Sequence, residues 1–198
     1  MNQFWNQRYA ENETVYGDRP NAYFKLKLDS IKVATILLPA EGEGRNAIYA
    51  ASKGWLVTAF DYCEAAMDKA MANASQKKVQ LDYAVVDIHQ YQATKQYDTI
   101  GLIYVHLPPV ERIVFHQKII DSLAPGGMLI MEAFSKEQIH NQSGGPKVIE
   151  QLYSIKELGH DFESLDMIEL EEIETELDEG PFHQGRACVI RLFAKKSL

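Results

Sequence analysis

The chain has 198 residues, 46% hydrophobic and 24% charged, with a formal net charge of -8. That length suits a single domain that can bury most of a core. The acidic balance argues against a general nucleic-acid binder, which wants a basic face. No apolar run approaches the about 18 residues of a membrane span. The start, Met1-Asn-Gln-Phe-Trp-Asn, lacks the charged-then-apolar build of a secretory signal. Cys63 and Cys188 fit no metal spacing and read as reduced, packed thiols, so a cytoplasmic protein with no metal is expected.

Residues 1 to 21 are crowded with Phe4, Trp5, Tyr9, Tyr16, Gly17 and Pro20, whereas a disordered tail would be poor in aromatics. Trp5 and Tyr9 share one face of a short helix. The segment is expected either to cap the core or to cover a bound cofactor and keep water out. A helix is predicted over 22–31, with Phe24, Leu28 and Ile31 on one stripe.

Residues 34–38 are a short β-branched, apolar run that reads as a buried parallel strand. Gly42-Glu-Gly44 follows as a turn with almost no side-chain bulk, and a helix starts near Arg45. Such a turn lets a ligand approach the backbone and aims helix N–H groups at it. The next strand, 55–60, ends on Asp61, where a carboxylate can accept hydrogen bonds from both hydroxyls of a ribose. These residues predict a nucleoside-bearing cofactor across the strand ends. Gly42-x-Gly44-x-x-Ala47 with Asp61 downstream also satisfies the loose dinucleotide pattern, so a nicotinamide cofactor stays open at this point.

An Ala- and Met-rich helix is predicted over 63–75, and a third strand over 81–86 that also ends on an acid, Asp87, followed by Ile88. A fourth strand over 97–104 runs into Val105-His106-Leu107. Pro108 and Pro109 open a helix carrying Ile113, Val114 and Ile120, and a fifth strand runs from Met128 towards Phe134. Ser154-Ile-Lys-Glu157 reads as a capping box. Residues 166–176 and 186–194 are expected to pair antiparallel across the loop 178–185. The predicted fold is α/β: a doubly wound, mostly parallel seven-stranded sheet with a C-terminal antiparallel pair.

This order of pieces resembles class I S-adenosylmethionine-dependent methyltransferases, and within them the small tellurite-resistance and thiopurine methyltransferase-like group. Phe4-Trp-Asn-Gln-Arg-Tyr9 with Val15-Tyr-Gly-Asp-Arg-Pro20 resembles that group's N-terminal cap. Gly42-Glu-Gly-Arg-Asn46 resembles its glycine turn, Val57-Thr-Ala-Phe-Asp61 its ribose-binding strand end, and Leu123-Ala-Pro-Gly-Gly127 the turn before its fifth strand. The resemblance implies one domain: a cofactor-covering cap over 1–31, a cofactor-binding core over 32–135 and a C-terminal region over 136–198. It implies S-adenosylmethionine as cofactor, with Trp5, Tyr9, Tyr16, Gly17, Glu41, Gly42, Gly44, Arg45, Asn46, Asp61 and Tyr62 around it. Asp87 is then expected at the adenine amino group and Ile88 against the ring. The sequence departs from the family at Leu38, where an acid is usual, and at Ala40, where Gly is usual. Glu41 is the expected substitute for the missing acid.

The implied reaction is in-line transfer of a sulfonium methyl, in which the protein mainly aligns the partners and excludes water. A general base is needed only if the acceptor loses a proton as it reacts. Tyr104 and His106, at the end of the fourth strand, are the candidate catalytic residues. Arg19, His183 and Arg186 are candidates for holding a small-molecule acceptor, the arginines through paired hydrogen bonds to an anion. Two other readings stay open: a non-catalytic cofactor-binding protein of the same fold, and a nicotinamide-dependent oxidoreductase.

Overall fold

The computed structural model describes residues 14–198. The expected Trp5 and Tyr9 part of the cap lies outside them. The strands are β1 (Thr35–Pro39), β2 (Leu56–Asp61), β3 (Asp82–Val85), β4 (Tyr97–Ile103), β5 (Leu123–Phe134), β6 (Asp166–Asp178) and β7 (Gln184–Lys195). They form one sheet in the order β3-β2-β1-β4-β5-β7-β6. The first five run parallel, and β7 is antiparallel to both β5 and β6. This is the predicted α/β architecture. β1 is central, and from Ile36 onward it is buried, as an apolar parallel strand covered on both faces must be.

The helices are α1 (Ala22–Leu28), α2 (Arg45–Ser52), α3 (Glu64–Lys77), α4 (Pro109–Asp121) and α5 (Ile155–Asp161). Two apolar layers sandwich the sheet. Phe24 and Leu28 of α1 and Ala47 and Ala50 of α2 pack with Ile36 and Leu38. Phe115 and Ile119 of α4 and Leu158 of α5 pack with Leu37, Ile100 and Leu102. Ala66, Ala70 and Ala74, spaced by four, give α3 a small-residue face that stays buried. Side-chain caps fix two starts. Asn21 accepts from the Phe24 N–H at 2.8 Å, and Ser154 Oγ accepts from Glu157 N–H at 3.3 Å while donating to the Glu157 carboxylate at 2.6 Å.

Some details differ from expectation. α1 stops at Leu28, so Ile31 lies beyond it. The C-terminal hairpin is longer than predicted, with Asp178 still paired to Gln184. In α4 the inward face is Arg112, Phe115, His116, Ile119 and Ile120, while Val110, Ile113 and Val114 are exposed. The apolar run masked the true face because two polar residues on it are satisfied by a partner in α5. No described helix is long and apolar enough to cross a membrane.

Candidate active site

The parallel strands β1, β2, β3 and β4 bring their C-terminal ends to one edge, where open α/β sheets bind ligands. At the end of β1, Ala40 (φ 50°), Gly42 (φ 62°) and Gly44 (φ 82°) take left-handed backbone conformations. Gly44 is required twice over. Its φ disfavours any Cβ, and one placed there would lie 2.8 Å from Ala70 Cβ on α3. Ala40 occupies a conformation that costs an L-residue roughly 1–2 kcal/mol.

Leu38, the departure from the family's acid, is fully buried, and it fits because β4 has a glycine opposite. A Cβ on Gly101 would come within 2.6 Å of Leu38 Cδ2 and 2.9 Å of Phe24 Cε2. Glu41 turns back towards α2. Its Oε1 accepts from the N–H groups of Asn46 and Ala47 at 2.7 and 2.8 Å, and its Oε2 from Asn46 Nδ2 at 3.3 Å. Three donors of this chain thus occupy the carboxylate expected to replace the missing acid.

Asp61 ends β2 and is buried. Its Oδ2 accepts from Gly42 N–H at 3.1 Å and its Oδ1 from Cys63 N–H at 2.9 Å. The Tyr62 N–H also reaches this carboxylate, so part of its acceptor capacity stays open. Burial raises its pKa, and the N–H groups of Cys63, Gly42 and Tyr62 oppose that rise. The neighbouring tip carries Asp87, whose Oδ1 accepts from His89 N–H at 2.9 Å. The two tips are tied by a 2.9 Å bond from Val86 N–H to the Asp61 carbonyl. Ile88 packs against the core from the same loop. The Tyr62 hydroxyl is buried with no hydrogen-bond partner, and both Asp61 and Asp87 contribute to raising its pKa after burial. A buried unpaired hydroxyl within reach of two carboxylate charges is what a polar ligand edge would satisfy.

The described part of the cap runs over the glycine turn. Val15 is fully buried, and its N–H donates to Glu43 Oε2 at 2.8 Å. Gly17 abuts the β6–β7 loop so closely that a Cβ on Gly180 would sit 2.5 Å from Gly17 N. Tyr16 packs on His183 with ring centroids 4.4 Å apart. Arg45 bonds Glu179 Oε2 at 2.8 Å and the carbonyls of Tyr16 and Arg19 at 3.4 Å. Arg45 and Asn46 therefore join the turn to the cap and to the loop, Asn46 Oδ1 accepting from Asn21 N–H at 2.9 Å.

At the end of β4 the residues divide. Tyr104 sits at φ 55° and donates its hydroxyl to Glu132 Oε1 at 2.9 Å. It stacks on Phe134 at 4.6 Å and meets His183 edge-on at 4.6 Å. Burial and the Glu132 charge hold its pKa well above the ordinary range, so it is a donor and not a base. His106 has both ring nitrogens occupied. Nδ1 is 2.8 Å from the Gln151 carbonyl and Nε2 accepts from Phe134 N–H at 3.1 Å. Those partners fix a neutral tautomer with the proton on Nδ1, and burial pushes the pKa down to about 4. This argues against His106 as a base, since neither nitrogen faces an acceptor.

Of the predicted acceptor-holding residues, His183 is buried in the aromatic cluster. Arg19 and Arg186 are exposed and paired with Asp178 and Glu174. Arg186 lines a cleft of about 390 Å³ on the hairpin with His140, Glu172 and Cys188, apart from the strand tips. Sequence reasoning missed Asn21, Glu132 and Glu179. Asn21 Nδ2 bridges Glu132 Oε1 at 2.6 Å and Glu179 Oε1 at 2.9 Å, and Arg191 Nε donates to Glu132 Oε2 at 2.7 Å. Burial would raise the Glu179 pKa, but His183 and Arg45 bring it down to about 2. One signal was present: Glu132 is a lone acid inside the apolar run of β5.

Residues 36–127 match the family model described as a methyltransferase domain. Among solved structures the chain is similar to TehB from Haemophilus influenzae, at 18% identity over 99% of this chain and 67% of that one, with a TM-score of 0.73. It is similar to the N-methyltransferase NodS from Bradyrhizobium japonicum WM9 in complex with S-adenosyl-L-homocysteine, at 16% identity over 98% and 97%, TM-score 0.76. It is also similar to magnesium protoporphyrin IX methyltransferase from Synechocystis PCC 6803 with bound SAM, at 17% identity over 99% and 95%, TM-score 0.71. The sequence matches none of the curated proteins compared with it. The chain shares its fold with these structures, and its residues 36–127 match the model of a methyltransferase domain.

Proposed function

We propose that the protein is an S-adenosylmethionine-dependent methyltransferase acting on a small-molecule acceptor in the cytoplasm, of the tellurite-resistance and thiopurine methyltransferase-like kind. The observation that carries the cofactor assignment is the closed start of α2. Dinucleotide cofactors rest a pyrophosphate on the N–H groups of this helix. Here Glu41 already occupies those of Asn46 and Ala47, with Glu43 and Asp61 close by. A phosphate would have to displace a carboxylate and sit among others. An adenosine without phosphate meets no such conflict, which counts against the nicotinamide reading.

S-adenosylmethionine supplies an activated methyl on a sulfonium, with a neutral leaving group. Asp61 would hold the ribose hydroxyls through its remaining lone pairs, Asp87 the adenine amino group, and Ile88 one face of the ring. The cap over 14–21 would exclude water. Tyr104, whose hydroxyl proton goes to Glu132 Oε1, would meet an acceptor through its ring and the hydroxyl's lone pairs. Most titratable groups at this end are already paired: His106 through both nitrogens, and Glu132 and Glu179 to Arg191 and Arg45, while His183 Nδ1 lies 3.6 Å from Glu179. That favours an acceptor that is nucleophilic at neutral pH without a base, such as a thiolate or a chalcogen oxyanion.

The cofactor assignment is tested by thermal shift. S-adenosylhomocysteine at about 100 times its dissociation constant should add about 2.7 kcal/mol. Reduced nicotinamide cofactors should add nothing, and Asp61→Ala should lose most of the shift. No response to millimolar S-adenosylhomocysteine in a folded sample sinks the proposal. The same locked His106 and the apolar Leu38 favour one second reading, a cofactor-binding protein without chemistry. Binding without labelled methyl release to any acceptor in a metabolite extract would select it.

A further inference from the structure

Tyr83 belongs to β3 and packs beside Ala47, Ala50, Val57 and Ala59 on the α2 side of the sheet. It makes one directed contact with the site. Its hydroxyl donates to the Gly42 carbonyl at 2.7 Å. Gly42 is then held at both ends, because its own N–H donates to Asp61 Oδ2 at 3.1 Å. At φ 62° Gly42 takes a conformation that glycine, with its wide backbone freedom, can enter and leave. Burial, with the Asp61 and Glu41 charges, keeps the phenol protonated far above neutral pH, so it is always a donor. The Gly42 and Cys63 N–H groups each take one oxygen of the Asp61 carboxylate and so fix its orientation.

We propose that Tyr83 is a positioning residue for the ribose end of the cofactor: by holding the Gly42 carbonyl it keeps the glycine turn in the form in which Gly42 N–H orients the Asp61 carboxylate. The inference rests on the adenosine reading above. It adds a residue in a different strand, acting through the backbone of the turn and not through the ligand. A phenylalanine at this position would keep the packing and lose only the hydrogen bond, leaving the Gly42 carbonyl free to turn.

The test is calorimetric titration of the wild type and Tyr83→Phe with S-adenosylhomocysteine, adenosine and 2′,3′-dideoxyadenosine. Tyr83→Phe should weaken S-adenosylhomocysteine and adenosine about 10-fold, the scale of one lost hydrogen bond. Dideoxyadenosine, which lacks the hydroxyls Asp61 would hold, should be affected about 2-fold or less. In an Asp61→Asn background, Tyr83→Phe should cost little more. Gly42→Ala, which keeps Tyr83 but strains the same turn, should show the same selective loss and serves if Tyr83→Phe does not fold. Equal weakening of all three ligands would mean a packing role only and would overturn the proposal, as would unchanged binding. A wild type that binds none of the three would overturn the adenosine reading itself, and the inference with it. A failed relay would leave wild-type binding intact.

Discussion

Burial pushes the Glu41 carboxyl up from an ordinary 4.5 to about 7, against the opposing pull of the Ala47 and Asn46 donors and the Arg45 charge. The folded state therefore binds the proton more tightly than the unfolded chain does. Its contribution to stability is fully present below pH 4.5 and is lost as pH rises through 7. Glu41→Gln keeps an oxygen for the two helix N–H groups but does not titrate. The stability of the wild type relative to this variant should fall by roughly 3 kcal/mol between pH 4 and 8. Urea denaturation of both proteins across that range measures it, and a flat difference would mean the carboxyl is solvated. His106 behaves in the opposite sense. It is already neutral at pH 7, with its pKa at about 4, so activity near neutrality should not follow its titration.

At the scale of elements, α4 and α5 are joined by a buried charge cluster and not by apolar contact alone. Arg112 Nε and His116 Nδ1 both bond Asp161 Oδ2, at 2.7 and 2.8 Å, and all three side chains are nearly inaccessible to solvent. Burial favours a higher Asp161 pKa, but the bonds from His116 and Arg112 outweigh it and keep the carboxylate ionised. Asp161→Ala would leave a buried guanidinium with only the longer 3.5 Å ion pair to Glu157. It should cost about 3–5 kcal/mol in denaturant unfolding, with the loss concentrated in hydrogen exchange of α4 and α5. This cluster also explains where sequence reading stopped. The strands β1, β2, β4 and β5 were legible because their apolar runs are bounded by glycine, proline or an acid. The turn at Gly42 and the acids Asp61 and Asp87 were legible because each stands at a strand end. Arg112, Asn21 and Glu179 were not, because each is satisfied by a residue far away in the chain, and no local pattern encodes that pairing. His106 was read for chemistry on its position alone. Its two backbone partners, at Gln151 and Phe134, come from other elements.

For the whole molecule, a net charge of -8 gathers in part on one edge of the sheet. β6 is 13 residues long and among the described residues pairs only with β7, which makes it an edge strand of the described sheet. A long, flat, apolar edge would template a second copy. Here Asp166, Glu169, Glu171, Glu172, Glu174, Glu176 and Asp178 punctuate it, while Ile168 and Met167 are among its exposed apolar residues. Glu174 and Glu169 have cationic partners in Arg186 and Lys27; Glu171, Glu172 and Glu176 are exposed. Antiparallel pairing of two β6 edges would set like charges opposite one another, which is unfavourable. Replacing Glu171, Glu172 and Glu176 together by threonine keeps strand propensity and removes that repulsion. The triple variant should self-associate in sedimentation velocity at concentrations where the wild type does not change with dilution. The corresponding aspartate variant, which keeps all three negative charges, should behave as the wild type. High salt shortens the screening length from about 10 Å at 0.1 M to about 3 Å at 1 M. It should therefore move the wild type towards the threonine variant and leave that variant little changed. If the threonine and aspartate variants associate alike, strand shape and not charge is what keeps the edge single.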